Sequence, residues 1–295
     1  MLYLKQYNFK EAEALAKKNA FQSHTGNFMK YRYLLGELVS KNIKLQYRNS
    51  VLGVLWTFLQ PLLTMIVLAF VFSNLFGRNS AEVVNYPVYL LSGRLLHQFF
   101  VQSTKKAMKS IRSNTSIIKK VYVPKYIYPL SGILSNFVTF LISLLVLVGV
   151  MIFYNIIGKD PIAVSWQIIF AIVPVIVLFF LSLGVGMILA TLDVFFKDVE
   201  NLYDIFTLLL FYLTPIVYTI DRLGFAEGSW QASMLKLNPM YGIIGMFRAS
   251  IIHSTEFMSF FSINDLIYCS AFALICCAIG FVAFYKKQDK FILHI

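Results

Sequence analysis

The chain has 295 residues, 58% of them hydrophobic and 14% charged, with a formal net charge of +12 and a mean hydropathy of +0.70. That composition excludes an ordinary soluble domain and describes a polytopic membrane protein. Most of the Lys/Arg surplus falls in segments expected to face the cytoplasm, which accounts for the charge without nucleic acid.

Residues 1–27 are polar and mixed in charge, with a short helix expected at Asn8–Ala20 and a polar linker after it. No cleavable leader is read there, so the first span is expected to be its own signal. Over 28–48 the pattern becomes amphipathic. Phe28, Tyr31, Leu34, Leu35, Leu38, Val39 and Leu45 share one side, and Lys30, Glu37, Lys41, Lys44 and Arg48 the other. Such a helix is expected to lie in the headgroup plane with its apolar face toward the bilayer.

From Gly53 to Phe76 there are 24 residues without a charge, about 36 Å of helix and enough to cross a core of roughly 30 Å. Pro61 is expected to free a carbonyl in its first third. The spans are expected at 53–76, 88–111, 127–155, 167–192, 201–220 and 265–285. The second is the least apolar, with Arg94, His97, Lys105 and Lys106. An arginine at mid-bilayer costs about 2.5–3.5 kcal/mol, so Arg94 is expected near the outer interface or facing the protein interior. Residues 105–125 carry seven Lys/Arg and no acid, the pattern of an inside loop. The piece at 238–253 is apolar but too short to span, which suggests a re-entrant or interfacial helix. Twenty Lys/Arg fall on one side and five on the other, so both termini are expected in the cytoplasm. The domain plan is a cytoplasmic segment 1–27, an interface helix 28–48, a membrane domain 49–288 and a tail 289–295.

Chemistry is sparse. Cys269, Cys276 and Cys277 share the last apolar run and read as small apolar side chains. His24, His97, His253 and His294 form no metal-ligand spacing, and no phosphate-binding G-x-x-x-x-G-K-[ST] occurs. The acids Asp193, Asp198, Glu200 and Asp204 could hold Mg²⁺ for glycosyl or phosphoryl transfer. They could equally form a solvated turn, offset by Lys197, at the start of a helix. Trp56, Phe58, Phe211, Tyr212 and Tyr218 could stack on sugar rings or simply face lipid.

Several ordered pieces carry a resemblance: Tyr47-Arg48, Leu52-Gly53, Trp56 and Gln60-Pro61-Leu62; Lys119-Lys120-Val121, Val123-Pro124-Lys125 and Pro129; Phe196-Lys197-Asp198-Val199; Thr214-Pro215-Ile216 with Tyr218; Asn238-Pro239 and Arg248. Over residues 28–290 the chain resembles the membrane subunit of ABC-2-type exporters of surface polysaccharides, such as O-antigen and teichoic acid permeases. The resemblance implies a non-enzymatic transport subunit in a bacterial plasma membrane, present as two copies over two copies of a separate ATPase. That ATPase would hold the ATP and Mg²⁺, leaving no cofactor in this chain. It implies that a polyprenyl-diphosphate-linked glycan meets Lys41, Lys44 and Arg48 at the inner threshold. Ser113, Asn114, Lys119, Lys120, Pro124 and Lys125 would couple to the ATPase, and Asn238, Pro239 and Arg248 would belong to an outer gate. Arg94 and His97 depart from the family, which has an apolar residue and a Trp early in span two, and Lys197 stands where Arg is usual. A permease for a lipid or drug, and an intramembrane transferase built on the acids, remain the alternatives.

Overall fold

The computed structural model describes residues 31–48, 50–75, 85–120, 123–158, 162, 166–218, 230–252 and 261–294. The expectations for Asn8–Ala20, Phe28 and Lys30 lie outside these residues, as do Arg78, Lys159 and Arg222, three of the five Lys/Arg counted on the outer side. Among the described residues the regular structure is entirely helical. Helix α1 covers 31–47. A short 3-10 turn at Gly53–Leu55, opened by Gly53 at φ 49, leads into α2 (Trp56–Leu75). Then come α3 (Tyr86–Ser113), the single turn α4 (Thr115–Ile118) and α5 (Ile127–Ile157). A 3-10 segment Trp166–Ala171 precedes α6 (Ile172–Phe195), followed by α7 (Val199–Leu213), α8 (Trp230–Lys236), α9 (Pro239–Ile251) and α10 (Ile263–Lys287). The chain ends in a turn at Gln288–Lys290 and a helical turn at Phe291–His294.

Four of these helical stretches are long and apolar enough to cross a membrane: Gly53–Phe72, Ile127–Ile157, Trp166–Phe195 and Ile263–Leu293. They match expected spans one, three, four and six. Expected span two is α3, long enough at 28 residues, or about 42 Å, but too polar to count by composition. Expected span five is shorter than its 201–220 boundaries. Pro215 disfavours helical backbone at Thr214, which is extended (φ −105, ψ 128). The 15 residues of α7 therefore reach only about 22 Å.

Helix α3 stands at the centre, packed against α2, α5, α6, α7 and α9, while α6 also packs along α10. Close approach of α6 and α10 depends on two glycines. A Cβ at Gly184 would lie 2.5 Å from the Cys276–Cys277 backbone, and one at Gly280 would lie 2.5 Å from the Gly184 carbonyl. Small residues at such crossings let membrane helices touch backbone to backbone. Apolar surface is distributed the other way round from a soluble protein. Helices α2 and α10 present Ile66, Val67, Phe70, Ile267, Leu274 and Ile279 outward, while the polar α3 buries sixteen of its residues.

At the basic end, Tyr31, Leu34, Leu35 and Leu38 of α1 join a hydrophobic cluster with residues of α3, α5, α6 and α10, and Asn42 donates to Ser131 of α5 (3.4 Å). Part of the expected apolar face therefore docks on protein, Leu38 fully and Tyr31, Leu34 and Leu35 by half, with Leu45 and Tyr33 left exposed. Phe291 is fully buried against Phe195 and Phe284, which anchors the tail to the bundle.

Candidate functional site: the accessible stripe of α3 and its two arginines

Between Arg94 and Arg112, the residues of α3 that keep some exposure are Arg94, Gln98, Val101, Gln102, Lys105, Lys106, Lys109 and Arg112. Their spacing of three and four places them on one stripe, about 27 Å long and nearly the depth of a hydrocarbon core. Hydrocarbon offers amides and cations no hydrogen-bond partners, so a stripe of this composition cannot face lipid.

At the basic end the stripe is paired with the acidic cluster. Lys105 meets Asp204 at 2.6 Å, Lys109 meets Glu200, and Arg112 meets the fully buried Asp193 at 3.1 Å while also donating to its backbone carbonyl. Three of the four acids, all but Asp198, are thus matched by α3 cations rather than by Lys197 as the sequence suggests. Among the described residues no group of three His, Cys, Asp or Glu side chains comes together to hold a metal. Lys106 turns the other way and donates to Asn136 of α5 (3.3 Å).

In the middle of the stripe, Gln98 and Gln102 border a cleft shared with Trp56, Gln60, Asn136 and Thr139, with Tyr47 at its rim. Its ≈ 50 Å³ holds a few waters but no sugar ring. Pro61 acts as expected here. The Thr57 carbonyl it frees accepts from Ser143 of α5 (3.4 Å), and the Thr57 hydroxyl pairs with Tyr47 (2.5 Å), tying α1 to α2.

At the far end two arginines meet different surroundings. Arg248, on α9, is buried, and its guanidinium lies 3.5 Å from the centroid of the Tyr89 ring. Its Nη1 donates to the Pro215 carbonyl (2.6 Å), and Nη2 to the carbonyls of Tyr89 and Ile216 (both 3.0 Å). Gly93 makes the room, since a Cβ there would collide with the guanidinium. The non-helical segment 214–218 is held from every side. Tyr86 donates to Val217 (2.8 Å), Tyr89 to Pro215 and Tyr218 (3.3 and 3.0 Å), and Asn238 to the Thr214 hydroxyl (2.9 Å). Asn238 also caps α9 through the Met240 amide. Three separate sequence pieces, at 214–218, 238–239 and 248, are therefore one structural clamp. Tyr86 and Tyr89, which complete it, were not read from the sequence, where they look like interface-belt aromatics.

Arg94 faces the protein interior, over the Phe211 ring at 5.5 Å, with the His97 ring edge-on to the same Phe211 at 5.3 Å. Arg94 Nε and His97 Nε2 are buried without hydrogen-bond partners.

The remaining candidates are dispersed. Trp56 stands on the cleft, Phe58 and Phe211 pack against the main core, Tyr212 is exposed, and Tyr218 belongs to the clamp. They do not form one lining. Lys44 and Arg48 are exposed, while Lys41 donates to Asn114 (3.2 Å), so one threshold residue is joined to the coupling segment. Asn114 is buried and also bonds the Ser110 carbonyl (2.8 Å). Lys119 and Lys120 are exposed, with Ser113 and Pro124 beside them half-buried or exposed at the ends of the segment. Lys125 donates to the Gln288 carbonyl of the tail (2.6 Å), and burial lowers its pKa against the opposing pull of Asp289.

Comparison with known proteins identifies the family. Residues 33–252, 220 of the 295, match the family model described as ABC-2 type transporter. An O-antigen export system permease protein RfbA from Klebsiella pneumoniae is 29% identical over 89% of this chain and 98% of its own length. An RfbA of Myxococcus xanthus is 30% identical over 74% and 80%. The polysialic acid transport protein KpsM of Escherichia coli is 21% identical over 87% and 93%. The chain is a multi-pass membrane protein and belongs to the ABC-2 type transporter family.

Proposed function

We propose that the chain is the membrane-spanning subunit of an exporter that moves a lipid-linked surface polysaccharide across a bacterial plasma membrane, driven by a separate ATPase. The observation that carries this reading is the polar stripe of α3, exposed at membrane depth inside a bundle whose other long helices are apolar. The names of the relatives supply the cargo class. In this reading there are six spans, α3 and α7 being the two too polar or too short to be recognised by composition. Both termini are cytoplasmic, two copies enclose the passage, and two ATPase copies hold the ATP and Mg²⁺. Lys44 and Arg48, free on the exposed face of α1, meet the diphosphate of the polyprenyl carrier. The segment Ser113–Lys125 docks on the ATPase through exposed Lys119 and Lys120, and Lys41–Asn114 links the two. The clamp around Arg248 is the fixed base of the outer gate.

The transferase alternative loses its support where Asp193, Glu200 and Asp204 are each paired with a cation of α3. The test is co-purification with the ATPase subunit followed by its stimulation with lipid-linked glycans. A stable complex whose ATPase activity rises with glycan supports the reading; no complex with any ATPase contradicts it. Stimulation by a free lipid or drug but not by glycan would assign the chain to the other permease class.

A further inference from the structure

Among the described residues Arg94 is a cation without an anion. It lies eight residues into α3, about 12 Å from its start and about 16 Å along the axis from Lys105. The three acids that face α3 in ion pairs, Asp193, Glu200 and Asp204, are engaged at the other end by Arg112, Lys109 and Lys105. Among the described residues no carboxylate pairs with Arg94, and no acceptor meets its nitrogens. The ring of Phe211 covers one face of the guanidinium, which satisfies its charge in part but none of its donors. Beside it, His97 is 94% buried (6% exposed) and its Nε2 is equally unpartnered. Two nitrogen groups on successive turns of one helix thus converge on the same aromatic ring, with donors left over. Ionisable groups at membrane depth that the protein does not satisfy internally mark a ligand path.

We propose that Arg94 and His97, backed by Phe211, form a binding site for an anionic substituent on the sugars of the transported polymer. This rests on the exporter reading and narrows it to acidic glycans. Arg94 donates in a fork to a carboxylate or phosphate oxygen pair, and His97 donates one further bond. The neutral amides of Gln98 and Gln102, one and two turns on, follow the hydroxyls of the same chain.

The test is titration of the protein, purified in phosphatidylcholine nanodiscs, with hexagalacturonate, maltohexaose and inorganic diphosphate at low salt. The expected result is a Kd at least tenfold lower for hexagalacturonate than for maltohexaose. That preference should fall below twofold in Arg94→Gln, recover in part in Arg94→Lys, and stay unchanged in the surface control Lys236→Gln. Equal binding of the acidic and neutral oligomers overturns the anion site and leaves glycan export standing. Diphosphate competing with hexagalacturonate in an Arg94-dependent way, and binding more tightly, would assign the site to the carrier lipid's head instead and overturn the substituent assignment. Binding of neither oligomer overturns both. An acidic preference that persists in Arg94→Gln, with the variant still folded by size exclusion, also overturns it.

Discussion

Arg248 and Arg94 are two arginines in one membrane bundle, each laid over an aromatic ring, and they differ in what becomes of their donors. Arg248 leaves its Nε unbonded but spends both Nη groups on three backbone carbonyls, two of them in the segment where Pro215 interrupts helical hydrogen bonding. Arg94 meets a ring and nothing else among the described residues. The first satisfies backbone groups that a helix break would otherwise strand in hydrocarbon, so its cost of burial is offset by what it completes. The second has no such return among the described residues. The contrast teaches that an intramembrane charge is classified by its hydrogen-bond account and not by its depth.

The largest expected effect breaks the satisfied member. Arg248→Met leaves the Ile216 carbonyl without its donor, at about 1–3 kcal/mol for a buried acceptor left unsatisfied. It also takes one donor each from the carbonyls of Pro215 and Tyr89, which keep the Tyr89 and Ser92 hydroxyls. We expect the variant to fail to accumulate as a monodisperse protein in detergent. Lys at this position should rescue little, because one ammonium cannot reproduce the fork. Next comes Gly93→Ala, whose new methyl group collides with the guanidinium. Overpacking of this kind costs about 1–3 kcal/mol, visible as a lowered unfolding temperature with the native fold retained. The unsatisfied member should respond in the opposite sense. Arg94→Gln removes a charge that no described residue pairs, so thermal stability should hold or rise while transport falls. A loss of stability as large as that of Arg248→Met would erase the distinction. The smallest effect lies at the basic end, where Lys109 and Glu200 are both well exposed. Lys109→Glu should cost less than about 1 kcal/mol, and the reversed pair Lys109→Glu with Glu200→Lys should restore it.

Much of this organisation was legible in the sequence, because apolar runs and basic loops report on the bilayer directly. Spans one, three, four and six fell within a few residues of their helices. The Pro61 carbonyl and the short helix at Pro239–Ile251 followed from local backbone chemistry. What stayed hidden depends on which faces meet. The α1 pattern is the same whether Leu34 and Leu38 rest on lipid or on protein, and only the packed structure shows Leu38 buried within the bundle. Span five was drawn too long because its hydropathy continues past Pro215, although the backbone does not remain helical. The aromatic candidates were chosen by residue type, and type does not distinguish Phe211 under a guanidinium from Tyr212 facing outward. The polar spacing 94, 98, 102, 105 and 109 was present in the sequence as a stripe at helical period. It was read as a weak span instead, since the helix that buries most is also the least apolar.

The central claim is that this stripe faces water and cargo, not lipid. The most direct test places single cysteines at Gln98 and Gln102, and at Leu274 on the outward face of α10, in a background lacking Cys269, Cys276 and Cys277, and measures their reaction with a charged, membrane-impermeant thiol reagent in the assembled membrane complex. The account predicts rapid modification at positions 98 and 102, slowed by bound glycan, and almost none at 274. Equal, negligible reaction at all three positions would contradict it.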